Sequence, residues 1–153
     1  MKIGETKDFE LIARLSESIQ QLHASLYPEF FKEYEYEGMR EHFKNMMDVE
    51  NIRFILIEDP NPVGYAMIEI KSNPETVFKK AYKSIYVHQI NIIEPFIGQG
   101  YGARLIKHIE NIARENDINM IQLDYWASNE RAKQFYLKEQ FETIREVVIK
   151  RLK

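Results

Sequence analysis

Apolar residues recur along this chain with two different periods, and the points where one period gives way to the other outline its elements. Met1 to Ile3 suits a short first strand. Thr6 or Asp8 can cap a helix in which Ile12, Leu15, Ile19, Leu22 and Leu26 mark one face at every third or fourth residue, ending before Pro28. Met39, Phe43, Met46 and Met47 fit a second, shorter helix. Residues 52–58 and 63–70 are β-branched and apolar around Asp59-Pro60-Asn61-Pro62, which is turn chemistry, so they predict a hairpin. Residues 71–81 are polar and predict a connecting loop, and residues 84–93 form the third long strand. Leu105, Ile106, Ile109, Ile112 and Ala113 then return to helical spacing. Residues 120–126 are a strand candidate, and residues 129–138 suit a short helix with Ala132, Phe135 and Tyr136 inward. Residues 141–149 alternate as a last strand. The order β, α, α, β, β, β, α, β, α, β implies an α/β (α+β) fold, a mixed sheet with helices on both faces.

Length and composition narrow the picture without changing it. At 153 residues, 44% of them hydrophobic, the chain can bury one core, and no repeat or linker divides it, so residues 1–153 read as a single domain. The net charge is −3 with no block of like charges, which gives no nucleic-acid footprint. With no Cys there are neither disulfides nor thiolate metal sites, and His23, His42, His88 and His108 have no metal-ligand spacing. No signal-peptide core or membrane span is visible, so the default is a cytoplasmic protein with no metal and no membrane partner.

The candidate chemistry lies where strand turns into helix, at Gly98, Gly100 and Gly102. Glycines there let the backbone bend tightly and leave amide N–H groups unshielded, while the helix's unpaired N–H groups and dipole attract negative charge. That is the physics of a pyrophosphate cradle. Letter by letter, Gly98-x-Gly100-x-x-Ala103 also satisfies a dinucleotide fingerprint, with Asp124 roughly 20 residues on. Against this oxidoreductase reading, Glu94 to Ile97 lengthen the turn, and fewer than about 30 residues remain after Asp124 for the further strand–helix units such a fold needs. A nucleotide P-loop fails because no Lys-Ser or Lys-Thr follows the glycines.

Downstream, Asp124-Tyr-Trp-Ala-Ser-Asn129 leads through Ala132 to the pair Phe135-Tyr136 and on to Phe141. This segment resembles the second signature of the Gcn5-related N-acetyltransferases, and the glycine turn resembles the first. The resemblance covers residues 50 to 150 and implies a mostly antiparallel sheet whose central strands splay to admit acetyl-coenzyme A. It implies that the loop Ile97, Gly98, Gln99, Gly100, Tyr101, Gly102, Ala103 holds the pyrophosphate. It further implies that backbone groups of Ile92 and Ile93 pair with the pantetheine arm, that Asn129 is a polar contact, and that Tyr136 stands beside the thioester sulfur. Two positions depart from the family pattern. Ile97 replaces an Arg or Gln, removing a side chain near the phosphates but leaving the amides, and Gln140 replaces a Gly, altering the turn after the tyrosine helix.

The implied reaction is transfer of an acetyl group from acetyl-coenzyme A to a primary amine by direct attack. It needs an unprotonated amine, an oxyanion donor and a proton for the departing thiolate. Tyr136 is the candidate donor, although a phenol of pKa about 10 gives its proton to a thiolate of pKa about 8.5 only slightly uphill. A backbone N–H on the Ile92 strand is the implied oxyanion donor. His88, Glu69, Glu94 and Asp124 remain open as bases, directly or through water, and His88 also reads as a structural histidine in an apolar strand. The acids Glu29, Glu33, Glu35 and Glu37 read as a solvated loop or as the flank of a cationic acceptor's entrance. An acyl-coenzyme A-binding regulatory module without catalysis is the second reading. Similar proteins often pair as dimers, and the acceptor leaves no motif.

Overall fold

In a computed structural model covering residues 1–153, five strands form one sheet in the order β1-β2-β3-β4-β5. They are β1 (Lys2–Glu5), β2 (Ile52–Glu58), β3 (Pro62–Asn73), β4 (Tyr82–Ile92) and β5 (Ile121–Leu123). All neighbouring pairs are antiparallel except β4 with β5. A doubly wound parallel sheet is therefore excluded, and with it the dinucleotide-oxidoreductase reading of the glycines.

The chain has five α-helices, α1 (Phe9–Leu15), α2 (Glu17–Leu26), α3 (Tyr36–Met46), α4 (Tyr101–Glu115) and α5 (Glu130–Lys138), of which α1, α3 and α4 pack on the sheet. Residues in β2 and β3 are apolar on both faces because both faces are covered. Ile55, Ile57 and Ile68 pack toward Leu105 and Ile109 of α4, while Phe54, Leu56 and Tyr65 pack toward Ile12 of α1 and Phe43 of α3. No helix is long and apolar enough to cross a membrane.

Where the sequence predicts one helix up to Pro28, the structure has two. Ser16 is buried and its Oγ donates to Ala13 O at 2.8 Å, and Tyr34 Oη donates to the same carbonyl at 2.7 Å. With that acceptor taken by side chains, the helix ladder breaks at Ser16. Ile12 and Leu15 are buried as predicted, but α2 buries none of its residues fully. The acidic segment also has local uses. The Glu35 carboxylate accepts from the N–H groups of Glu37 at 3.0 Å and Gly38 at 2.8 Å, capping α3. Glu29 pairs with Arg151 at 2.6 Å.

Two further expectations fail at the end of the chain. The fifth strand is shorter than residues 120–126, because β4 and β5 pair only from Ile85 with Ile121 to Val87 with Leu123 and then separate. Residues 141–149 are not a strand. They join no sheet, they lie exposed apart from Phe141, and no main-chain hydrogen bond forms beyond Phe141. Alternation supplied the right composition, but a strand also needs a hydrogen-bonded neighbour, and this segment pairs with none.

Candidate active site

The cleft originates in a mismatch of one residue between β3 and β4. Ile68 pairs with Val87 and Met67 with Gln89, so His88 is an extra residue, a β-bulge. Its effect shows in the main chain. Ile85 N–H points outward to Met120 O on the β5 side at 3.0 Å, whereas Ile93 N–H points inward to Val63 O on β3 at 2.9 Å. Residues of the same parity would face the same way in a regular strand, so the bulge reverses the alternation. As a result β5 cannot continue its pairing, and the main-chain groups of Ile90 and Ile92 face the open wedge between β4 and residues 124–126. The Ile93 N–H is committed to β3. Gly64, opposite Ile92, permits this close approach, since a Cβ there would fall 2.3 Å from Asn91 O.

Beyond β4 a 3₁₀ turn (Glu94–Phe96) leads to the glycines, an element the sequence does not signal except through Pro95. Gly98 and Gly100 have φ values of 82° and 88°, a left-handed region that penalises any side chain. The space above both is open. None of the N–H groups from Gly98 through Ala103 finds an acceptor within the chain, and the first to do so is Arg104 N–H, which bonds to Gly100 O at 3.2 Å. This is a row of unshielded donors at the positive end of a four-turn helix, matched to an anion. Ile97 is half-buried beside it, and Gln99 Nε2 donates to Pro95 O at 3.0 Å. Tyr101 turns away, its hydroxyl donating to Asp59 at 2.8 Å.

The second segment closes the other side of the wedge. Asn129 caps α5, its Oδ1 accepting from Ala132 N–H at 3.1 Å. Tyr136 is 8% exposed, its ring between those of Tyr125 at 5.7 Å and Phe141 at 5.6 Å. Its hydroxyl makes no hydrogen bond in the chain, yet it is not sealed away as Ser18 Oγ is. Burial, and next the charge of Asp124, hold this phenol well above its ordinary pKa, so it is protonated at any physiological pH. That shift makes complete proton transfer to a thiolate steeper than the sequence reading allowed. Gln140 keeps the left-handed turn that a glycine favours, with φ 68°, and Phe141 N–H then bonds back to Tyr136 O at 2.9 Å.

Of the four candidate bases, the structure pairs two and separates the others. His88 Nε2 lies 2.7 Å from Glu69 Oε1, and Asn51 Nδ2 donates to the other oxygen of Glu69 at 3.1 Å. His88 is exposed rather than enclosed. Its ring is 5.0 Å from that of Tyr86, whose hydroxyl donates to Asp124. Burial, and then that bond, push the Tyr86 phenol up to about 12. Glu94 turns to Arg131 at 3.7 Å, both exposed. Tyr86 was missed from the sequence, although its place two residues before His88 on one strand was a usable signal. A further group hidden from the sequence is the aromatic cluster of Trp126 with Tyr27, Phe30 and Phe31, at 4.6 to 5.5 Å, which joins the end of α2 to the strand side of the cleft.

Comparison with known proteins adds a family to this geometry. A search of the curated proteins finds no match. Among solved structures, the tetramutant of the BH1408 protein from Bacillus halodurans superimposes with a TM-score of 0.93 at 22% identity, covering 99% of this chain and 100% of that one. A putative acetyl transferase from Pyrococcus furiosus gives 0.74 at 22% identity, covering 99% of each chain. An aminoglycoside acetyltransferase, meta-AAC0020, from an uncultured soil metagenomic sample in complex with sisomicin gives 0.68 at 15% identity, covering 99% of this chain and 95% of that one. At these identities the likeness is one of fold. The sequence profile of the Acetyltransferase (GNAT) family matches residues 19–141, which takes in the bulged strand, the glycine turn and Tyr136. By that match, over most of its length, the chain belongs to the GNAT acetyltransferase family.

Proposed function

We propose that this chain is a single acetyltransferase domain that takes the acetyl group of acetyl-coenzyme A and delivers it to a primary amine by direct attack. The observation that carries the reading is the row of acceptor-free N–H groups from Gly98 to Ala103, which opens beside the wedge that Tyr136 borders. Those donors fit a pyrophosphate, and they suffice without the Arg or Gln that Ile97 replaces. The outward main-chain groups of Ile90 and Ile92 suit an amide-bearing arm lying along β4 as an added strand would.

Each residue then has a task set by its surroundings. An N–H of Ile90 or Ile92 donates to the oxygen that gains charge as the amine attacks. The Tyr136 phenol, kept neutral by burial and Asp124, donates a hydrogen bond to the leaving sulfur. Because its proton is held tightly, it stabilises the thiolate by hydrogen bonding, and water completes the protonation. The Glu69–His88 pair receives the proton lost by the amine, directly or through water, since Glu69 orients one ring nitrogen and leaves the other to act.

The chain has no Cys, so thiol appearing in a mixture of protein, acetyl-coenzyme A and an amine panel comes from the donor alone. Amine-dependent release is expected. Calorimetric binding of acetyl-coenzyme A with no release for any amine would assign the chain to the non-catalytic binding module, and absence of binding would overturn the site itself.

A further inference from the structure

We propose that Tyr86 is a positioning residue of this cleft: the bond from its hydroxyl to Asp124 holds one wall of the wedge against the other and, through Tyr125, fixes where the Tyr136 hydroxyl stands. The inference deepens the acetyl-transfer reading and rests on it. It starts from the way residues 124–126 are held. The ladder between β4 and β5 ends at Val87 with Leu123, and no main-chain hydrogen bond joins the next three residues to β4. Their side chains take over, each reaching a different element. Asp124 accepts from Tyr86 on β4, the Tyr125 ring stacks on Tyr136 of α5 at 5.7 Å, and the Trp126 ring lies 4.6 Å from that of Tyr27 at the end of α2.

Of these contacts only the first ties the segment back to β4, the strand that carries His88 and the cleft-facing groups of Ile90 and Ile92. The walls diverge from that point, so the bond sits at the apex of the wedge. Tyr86 is well braced to hold it. Its backbone lies in the last stretch of ladder, opposite Gln122, its ring lies 5.0 Å from that of His88, and the Lys71 ammonium stands 5.4 Å from the ring centre. A carboxylate is also a stronger acceptor for a phenol than a neutral oxygen would be, so the tie is firm. Freed from it, Asp124 carries Tyr125 along, and Tyr125 carries the ring stacked on it. The Tyr136 phenol then loses its place, and misplacing a reacting group by about 1 Å costs about 10²-fold in rate.

Tyr86→Phe keeps the ring and removes the bond. Turnover should fall by roughly 10- to 10²-fold, while the calorimetric affinity for acetyl-coenzyme A, set at the glycine turn, stays the same. Asp124→Ala should lose turnover likewise, and Asp124→Asn, which keeps an oxygen for the Tyr86 hydroxyl, should lose less. Tyr86→Phe combined with Asp124→Ala should lose no more than the larger single loss, because both changes cut one bond. Native turnover in Tyr86→Phe, or losses that multiply in the double variant, would overturn the proposal. A second readout needs no reaction. By NMR, Tyr86→Phe should shift the amides of Asp124, Tyr125 and Trp126 and the ring of Tyr136 while leaving α4 in place, and shifts confined to Tyr86 itself would overturn the proposal as surely. Should the native chain release no thiol, the acetyl-transfer reading fails, and these shifts alone uphold or overturn the tie.

Discussion

Phe135 of α5 packs against the bare Cα of Gly102 in the first turn of α4, so closely that a Cβ there would lie 3.0 Å from Cζ and 3.2 Å from Cε1 of its ring. The third glycine thus differs in kind from the other two. Gly98 and Gly100 are required by their left-handed backbone, whereas Gly102 is required by the neighbouring helix that carries Tyr136. This contact couples the anion-facing helix to the tyrosine helix.

Gly102→Ala should therefore cost about 1–3 kcal/mol through overpacking and displace α5. Gly100→Ala, with open space but a strained backbone, should cost about 1–2 kcal/mol and leave α5 in place. Urea denaturation measures both costs. Tyr136 fluorescence is masked by the other aromatics, so the movement of α5 is read from the amide and ring shifts of Phe135 and Tyr136 by NMR.

Tyr136→Phe removes one hydroxyl from an otherwise unchanged ring. Turnover should fall by about 10²- to 10⁴-fold while the affinity for acetyl-coenzyme A, set by the amides of the glycine turn, changes little. Steady-state kinetics with calorimetry separates the two, and turnover equal to the native enzyme's would remove the phenol from the mechanism.

Glu69→Gln keeps the shape of the Glu69–His88 pair but not its charge. kcat/KM should fall by roughly 10-fold, because a neutral amide orients the His88 ring less firmly than the carboxylate does. His88→Ala should lower kcat/KM by roughly 10²-fold. A kcat/KM unchanged in both variants would mean that solvent alone takes the amine's proton.

Stability should decline at alkaline pH with a definite sign. Tyr86 has its folded-state pKa raised from 10.0 to about 12, by burial first and by its bond to Asp124 second. A raised pKa contributes stability that is complete below the unfolded value and is lost as pH rises through the folded one, here between about 10 and about 12. Tyr136 shifts in the same direction and adds to the loss. Comparing melting temperatures at about pH 9 and about pH 11, the decline should be smaller in Tyr86→Phe than in the native chain.

Much of this was legible from local pattern. The burial of Leu105, Ile106 and Ile109 follows from helical spacing, and the turn at Gly98 and Gly100 follows from residue type alone. Asn129 caps its helix as an Asn in that place should. Gln140 is instructive because the backbone turn persists where the side chain departs from the family's glycine, so the turn is imposed by the bond from Phe141 N–H to Tyr136 O as well as by residue preference.

The sequence by itself determined which residues could face a core, where the chain must bend and which segment could present bare amides, because each is set by the periods of helix and strand and by the reach of a glycine. Tertiary structure alone decided the rest. The bulge at His88 exists only as a mismatch between β3 and β4, yet it turns Ile90 and Ile92 to the cleft and ends the pairing with β5. Likewise residues 141–149 carry a strand's composition without a strand's partner. Hydrogen bonds between strands join residues far apart in the chain, and a local pattern holds no record of which of them will meet.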